Sequence, residues 1–283
     1  MADNSHEFRV RSMCRVLSVS RAGFYAWKKR PQSAAALRRS ELLKSIDQVY
    51  VAAKKRYGYP RVHQQLRRQG VLCGRHIVAR LMKDNQLIGI HKRRSGRPRN
   101  VGNALRANVA GNVLQRRFTA ERPNQTWVAD FTYLPVAEGW LFLAAVLDIF
   151  SRRVVGWSFS QQADESLVTD ALQMALHSRK PAAGMIHHCD QGSQYTAVRY
   201  GAKLIEHGSI ASMSRKGNCH DNAVAESFFG SLKRELQIEN SVRGRSQTQE
   251  LVHDYIEKFY NRVRLHSTLG FLSPVEYELT RIA

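Results

Sequence analysis

The sequence predicts two architectures in one chain: all-helical units at the N-terminal end, followed by a mixed α/β domain. Three observations carry this. Apolar residues recur at helical spacing up to about residue 90, the period changes to that of strands from Gln125, and the charge changes along with it. Residues 1–120 hold 27 Lys and Arg against 5 Asp and Glu, a net +22, whereas residues 121–283 hold 17 against 18, a net −1. The excess that makes the whole chain +21 therefore belongs to the helical part.

Val10, Met13, Cys14 and Leu17 fall at i, i+3, i+4 and i+7, and an SVS stretch parts them from a second helical stretch, Arg21 to Lys29. Residues 1–32 thus read as a helix-turn-helix-like segment. A second helical unit, residues 37–90, opens with a stripe of Leu42, Leu43, Ile46, Val49 and Tyr50. After the RYGYP break come Val62 and Leu66, then GVLCG, then a last helix with Ile77, Val78, Leu81 and Met82. The two helices around GVLCG again have the form of a helix-turn-helix, which makes Arg75, His76, Arg80 and Lys83 candidate DNA contacts. One such pair with a basic face is more often an ordinary solvated bundle. Two on one strongly cationic segment favour a polyanionic partner, because each neutralised phosphate releases counterions. Residues 91–122, with HKRRSGRPRN and little periodicity, read as a basic linker.

The α/β domain is expected over residues 123–283. Thr126 to Leu134 and Trp140 to Asp148 read as strands joined by a turn at Ala137, Glu138 and Gly139, and Val154 to Ser160 reads as a third. Leu167, Val168, Ala171, Leu172 and Ala175 mark an amphipathic helix. Met185 to His188 is a short fourth strand, a helix follows near Ala197 to Glu206, and Ser209 to Ser212 can close the sheet. On a helix starting near Asn222, Ala225, Phe228, Phe229, Leu232 and Leu236 fall within a narrow arc, while Glu226, Gly230, Lys233 and Gln237 share its flank.

Three acidic residues stand out against this pattern. Asp130 interrupts an apolar, β-prone run, Asp190 directly follows another, and Glu226 avoids the apolar stripe of its helix. They are separated by 59 and 35 residues. Carboxylates brought together on a nearly neutral domain suggest a divalent metal site, since Mg²⁺ takes hard oxygen ligands and two such ions can activate an attacking oxygen and stabilise a leaving one in phosphodiester cleavage. Asp148, at a strand end, is better read as bonding backbone in the SRR turn, and Asp221 as a cap of the glutamate helix. His187 and His188 are neighbours on a strand, point to opposite faces and cannot chelate one ion together.

Other classes are excluded by residue pattern. Cys14, Cys73, Cys189 and Cys219 form no CxxC pair, which removes zinc-finger and disulfide-framework readings. No signal-peptide pattern opens the chain, and the longest apolar stretch, Trp140 to Leu147, is too short to span a bilayer, so a cytosolic or nucleoid-associated protein with no membrane partner is expected. Tyr260, Arg262, Arg264 and His266 form one compact cluster, unlike the spread-out constellation of a tyrosine recombinase, and are expected to close the C-terminal end of the catalytic domain.

The MCRVLSVSRAGFYAW opening, RYGYPRVHQQL, the TWVADFTYL, HHCDQGSQYT and DNAVAESFFGSLKRE motifs, and YNRVRLHSTLGFLSPVEYE stand in one order along nearly the whole chain. In these segments and in its 35-residue acidic spacing the chain resembles the second-frame (OrfB) transposases of the insertion sequence 3 family, DDE recombinases with a retroviral-integrase-like core. The resemblance implies a ribonuclease H-like catalytic domain. It implies Asp130, Asp190 and Glu226 as catalytic residues and ligands of two Mg²⁺ ions, for which Mn²⁺ can substitute. It also implies that Lys233, seven residues after the glutamate, contacts transposon-end DNA. A solvated lysine would be the better reading of Lys233 without that glutamate. The implied activity is cleavage at transposon ends and strand transfer, with terminal inverted repeats and target DNA as partners, a homo-oligomer on DNA, and an upstream-frame protein or frameshift fusion. Cys189 and His220 depart from the commonest family wording, and neither replaces a metal ligand. The rival expectation is a DNA-binding protein or transposition repressor that keeps the fold without activity. A ribonuclease H-like nuclease would keep the chemistry but not the joining.

Overall fold

The computed structural model describes residues 1–90, 109–215, 219–238 and 242–282, and the chain divides into two compact units, Met1–Gly89 and Ile90–Ala283. The first unit holds α1 (Val10–Val16), α2 (Arg21–Lys29), α3 (Ala34–Ala52), α4 (Tyr59–Arg68) and α5 (Arg75–Asp84). Ser20 and Ser33 accept from the N–H groups of Gly23 and Ala36, satisfying donors that the first turns of α2 and α3 leave open. α4 ends at Arg68, and Gly70 just beyond its cap has a positive φ of 80° that lets Val71 N–H return to the Leu66 carbonyl, a short reversal that makes α4 and α5 a helix hairpin. The predicted stripes close the core: Ile46, Val62, Leu66 and Val78 have no exposed surface. Two residues depart from expectation, and one of them is Ile77 on α5, which is 45% exposed. The other, Leu17, is 57% exposed, because α1 ends at Val16 and only Cys14 of its apolar residues is buried.

The second unit holds β1 (Thr126–Val136), β2 (Gly139–Asp148), β3 (Val154–Ser160), α6 (Glu165–Arg179), β4 (Ile186–Cys189), α7 (Val198–Glu206), β5 (Ile210–Met213), α8 (Ala223–Glu235), α9 (Arg245–Asp254), a π-helical turn (Tyr255–Tyr260) and α10 (Pro274–Ile282). The five strands lie in the order β3-β2-β1-β4-β5, with β1, β2 and β3 antiparallel and β4 and β5 parallel to β1. This is the ribonuclease H-like architecture that the sequence predicted.

Trp127, Ala129, Val146, Leu172, Ala175 and Tyr200 belong to the core between the sheet, α6 and α7. Gly156 lets α6 press onto β3, since a Cβ there would collide with the Ala171 carbonyl. α8 packs on β1 and β2. Of the stretch read as a basic linker, residues 91–108 lie outside the described residues. Further along it, Leu114 is buried, and Val113 and Leu114 donate to Ser212 Oγ at 3.0 and 3.1 Å.

Candidate active site on the sheet and its glutamate helix

Asp130 lies within β1 and Asp190 follows β4 directly. These strands run parallel with Val128 opposite His188, so the same register continued by two residues sets Asp130 level with Asp190. Both are half-buried. Asp130 Oδ1 accepts from Phe131 N–H at 2.8 Å and Asp190 Oδ1 from Gly192 N–H at 2.7 Å, which fixes each carboxylate against its own backbone. Their charges meet on shared neighbours. Burial pushes the Cys189 thiol well above its usual range, and the charges of Asp190 and Asp130 push it further. Tyr195 is raised by burial, by Tyr200 and by the same two carboxylates. Its buried hydroxyl has no hydrogen-bond partner among the described residues.

α8 is registered against β1 at two points. Near its start, Asn222 Nδ2 donates to the Ala129 carbonyl at 3.1 Å; near its end, the Lys233 ammonium lies 4.6 Å from the centre of the Tyr133 ring. Eleven residues of helix advance about 16 Å, and four residues of strand about 13 Å, so the helix runs alongside the strand in the same direction. Glu226, about 6 Å beyond the first tie, comes level with Asp130 and Phe131. It is exposed, whereas Ala225, Phe228, Phe229, Leu232 and Leu236 are buried, as the helical arc predicted. Among the described residues no three His, Cys, Asp or Glu side chains stand close enough together to share one ion. The acidic residues are thus aligned by their backbones, with Glu226 turned to solvent.

A buried brace holds the far end of α8. Arg264 pairs with Glu235 at 2.7 Å and donates to Ser231 Oγ at 3.2 Å, and Tyr255 donates its hydroxyl to Glu235 at 3.0 Å. The rings of Tyr260 and Phe228 meet edge to face, as do those of Tyr260 and His266. The compact C-terminal cluster therefore supports the helix that carries Glu226 and Lys233, a finer role than the sequence indicated. Arg262 is exposed and takes no part in it.

The remaining candidates have structural partners. Asp148 accepts from Asn124 and Phe150 N–H groups at 2.7 and 2.9 Å, as expected of a turn residue, and burial raises its carboxyl to about 6. Asp221 does not cap α8, which corrects the expectation: the N-cap is Asn222, without a side-chain bond. Asp221 instead pairs with Arg215 at 3.0 Å and Arg116 at 2.7 Å and accepts from Asn112 at 3.0 Å. Hydrogen bonds from Arg215, then from Arg116, hold its carboxyl well below the ordinary range despite burial. Arg215, six residues before it, and Arg116 and Asn112, more than 100 residues away, together outcompete the helix end.

His187 and His188 do face opposite ways. His187 Nε2 meets the Tyr200 hydroxyl at 2.7 Å, and His188 lies between Ser212 and Ser214 at 2.8 and 3.1 Å. Burial lowers them to about 3 and about 4, so both are neutral. The side chains of Cys219 and His220 lie outside the described residues. In the first unit, Arg75, His76, Arg80 and Lys83 are all exposed on α5, opposite buried Val78, Leu81 and Met82, and Arg75 donates to the Tyr59 hydroxyl at 3.1 Å.

Models of two domain families match the chain. The integrase core domain matches residues 120–219 and, by a second model, 207–274, and an HTH-like domain matches 38–95. Fold and domain content thus define a nucleic-acid-cleaving enzyme of the integrase-core class that carries its own DNA-binding unit. Transposase InsF for insertion sequence IS3A of Escherichia coli (strain K12) is 41% identical over 281 residues, spanning 98% of this chain and 96% of that protein. The insertion element IS600 uncharacterized 31 kDa protein of Shigella sonnei is 39% identical over 265 residues, spanning 94% and 97%. The chain belongs to the insertion sequence 3 family of transposases. Among solved structures, the HTLV-2 integrase catalytic core domain in complex with magnesium overlays with a TM-score of 0.44 at 14% identity, over 56% of this chain and 97% of that one.

Proposed function

We infer that Asp130, Asp190 and Glu226 are the catalytic carboxylates of a centre that cleaves DNA at the ends of its element and transfers the freed strand, and that they hold two Mg²⁺ ions, with Mn²⁺ able to substitute. The observation that carries this reading is the β1–β4 register, which pairs Val128 with His188 and, continued by two residues, would bring the two aspartates level. The level of Glu226 on α8 supports it. The donors fit a hard cation: all are carboxylate oxygens, the neighbouring Cys189 is a buried neutral thiol, and both nitrogens of His188 are occupied by serines. The unpaired Tyr195 hydroxyl would find a partner in a water that such a hydrated cation keeps. Bound there, the cations would supply charge to activate the attacking oxygen and stabilise the leaving one.

The chain's own groups position the DNA. Lys233, two helical turns from Glu226 and steadied by the Tyr133 ring, offers an ammonium to the DNA backbone near the scissile phosphate. Arg75, His76, Arg80 and Lys83 on α5 offer exposed donors to the terminal repeats. By family resemblance, the first joining links the two ends of one element through a figure-eight to an excised circle, which then integrates; the protein acts as a homo-oligomer on DNA, with an upstream-frame protein or as a frameshift fusion. Among the described residues no helix is long and apolar enough to cross a membrane, and the cytoplasm, at the nucleoid, is the proposed place of action.

The test is Glu226→Gln, which removes one ligand charge and leaves the basic unit intact. It should abolish nicking of a labelled transposon end in Mg²⁺ while gel-shift affinity stays unchanged. Undiminished nicking would remove Glu226 from the site. Binding without cutting by the unaltered protein would make it a repressor-type DNA binder instead.

A further inference from the structure

β1 and β2 form a hairpin whose tip, beyond the catalytic level, exposes two aromatic rings. Tyr133 is 45% exposed and Trp140 53% exposed, and they meet edge to face at 5.1 Å. Trp140 stands opposite Pro135 and Phe142 opposite Tyr133, so Tyr133 and Trp140 project from the same sheet face as diagonal neighbours. That face is core near Trp127 and Ala129 and becomes solvent-exposed towards the tip.

These two rings are held in place. Ala137 N–H donates to the Arg243 carbonyl at 2.8 Å, and the Glu138 carboxylate accepts from Arg245 N–H at 2.9 Å, so the hairpin tip is fastened to the start of α9. Lys233 reaches from α8 to lie over Tyr133. A rigid aromatic pair beside a cation suits one kind of ligand better than others: a nucleotide, whose base stacks while its phosphate meets the ammonium. Tyr133 lies three residues beyond Asp130 on the strand, about 10 Å along it and on the other face of the sheet, and Lys233, seven beyond Glu226 on the helix and also about 10 Å on, lies over its ring. Two elements that leave the carboxylates on strand and helix thus meet again at this contact, about 10 Å further along each, within a few nucleotides of the carboxylates.

The geometry points to Trp140, braced by Tyr133, as a stacking platform for an unpaired nucleobase of the transposon end, within a few nucleotides of the phosphate that is cut. This rests on the carboxylate reading above. Trp140 is in this sense a positioning residue: it keeps the end unpaired and its strand aimed at the carboxylates, with Lys233 holding the intervening backbone.

The experiment uses the full chain and a duplex of the element's own terminal repeat, with 2-aminopurine two, three or four nucleotides from the cleaved bond. In the unaltered protein, fluorescence at one of these positions should change on binding as the base leaves its partner and stacks on the indole. Trp140→Ala should lose that signal and slow single-turnover cleavage of the paired end about tenfold or more, whereas an end already unpaired by mismatch should recover much of the rate. Trp140→Phe, which keeps a ring, should retain the signal, and it guards against an alanine variant that fails to fold. Glu226→Gln should keep the fluorescence signal and lose cleavage, which separates this platform from the carboxylate reading. An unchanged 2-aminopurine signal in Trp140→Ala, or an equal loss in the phenylalanine and alanine variants, would overturn the proposal.

Discussion

α5 and α8 both carry cations proposed to meet DNA, yet the two helices are held in opposite ways. α5 presents Arg75, His76, Arg80 and Lys83 to solvent from a ten-residue helix packed on its sequence neighbours α3 and α4. α8 keeps Lys233 half-buried over Tyr133 and is fixed at one end by Asn222 on β1 and at the other by Arg264 and Tyr255, which lie 29 and 20 residues beyond Glu235 in sequence. A binding face assembled from exposed side chains loses affinity one contact at a time. A catalytic helix fixed by remote buried groups loses its alignment as a whole. The difference is between contacts that add and a geometry that must be kept.

Breaking the brace should have the largest effect. Arg264 and Glu235 are 6% and 9% exposed, and removing one partner of a buried pair typically costs about 3–5 kcal/mol by stranding the other charge. Arg264→Ala should lower the melting midpoint by several degrees and suppress cleavage, while gel-shift affinity through α5 persists. Equal loss of binding and cleavage would show that the helices are not separable in this way.

Acid should also distinguish the units. Among the described residues the first unit fully buries no histidine or carboxylate, whereas the second buries neutral His187 and His188. Their folded values, about 3 and about 4, lie below the unfolded 6.5, so the unfolded chain binds more protons and the stability they contribute, complete above about pH 6.5, falls as the pH drops towards 4. Asp148, raised to about 6 from 3.8, acts in the opposite sense between those values, because its folded form takes the proton more readily. Denaturant unfolding between pH 5 and 6 should therefore show a shallower slope for His188→Asn and a steeper one for Asp148→Asn than for the parent. Identical slopes would refute the assignment.

The smallest effects should come from single lysines. Lys233→Ala should slow single-turnover cleavage at saturating enzyme and flatten the salt dependence of binding by about one unit. Lys83→Ala should also flatten the salt slope and weaken end binding a few-fold, with a normal rate once bound. A normal rate for Lys233→Ala would return it to the role of a solvated lysine.

Much of this arrangement was legible in the sequence because it depends on local periodicity. Val154 to Ser160 and Arg21 to Lys29 have the predicted bounds, the other strand ends differ by at most two residues, and the buried arc of α8 is the predicted one. Partner choice across long separations was not legible. Asp221 looked like a cap because its nearest open donors in sequence belong to α8, yet Arg116, Asn112 and Arg215 satisfy it better. The Arg264–Glu235 pair joins two charged residues with no periodic relation, and only the packing of α8 beneath the C-terminal turns brings them together. The alternation that identified β1 as a strand did not reveal that its far end is open to solvent, so the Tyr133–Trp140 pair read as ordinary strand residues.

The position of the brace along the chain has a consequence for how the protein is made. Domains tend to fold in order of synthesis, and contacts between distant segments form more slowly than those between neighbours. The helices of the first unit can pack on one another soon after they emerge. Arg264 follows Glu235 by 29 residues, so it is added only after α8 and all three acidic residues have been made. Until then α8 lacks its partner for Glu235. A nascent or prematurely ended chain can thus carry a folded DNA-binding unit and all three acidic residues while lacking the support that holds them in line, so that gripping DNA precedes the ability to cut it.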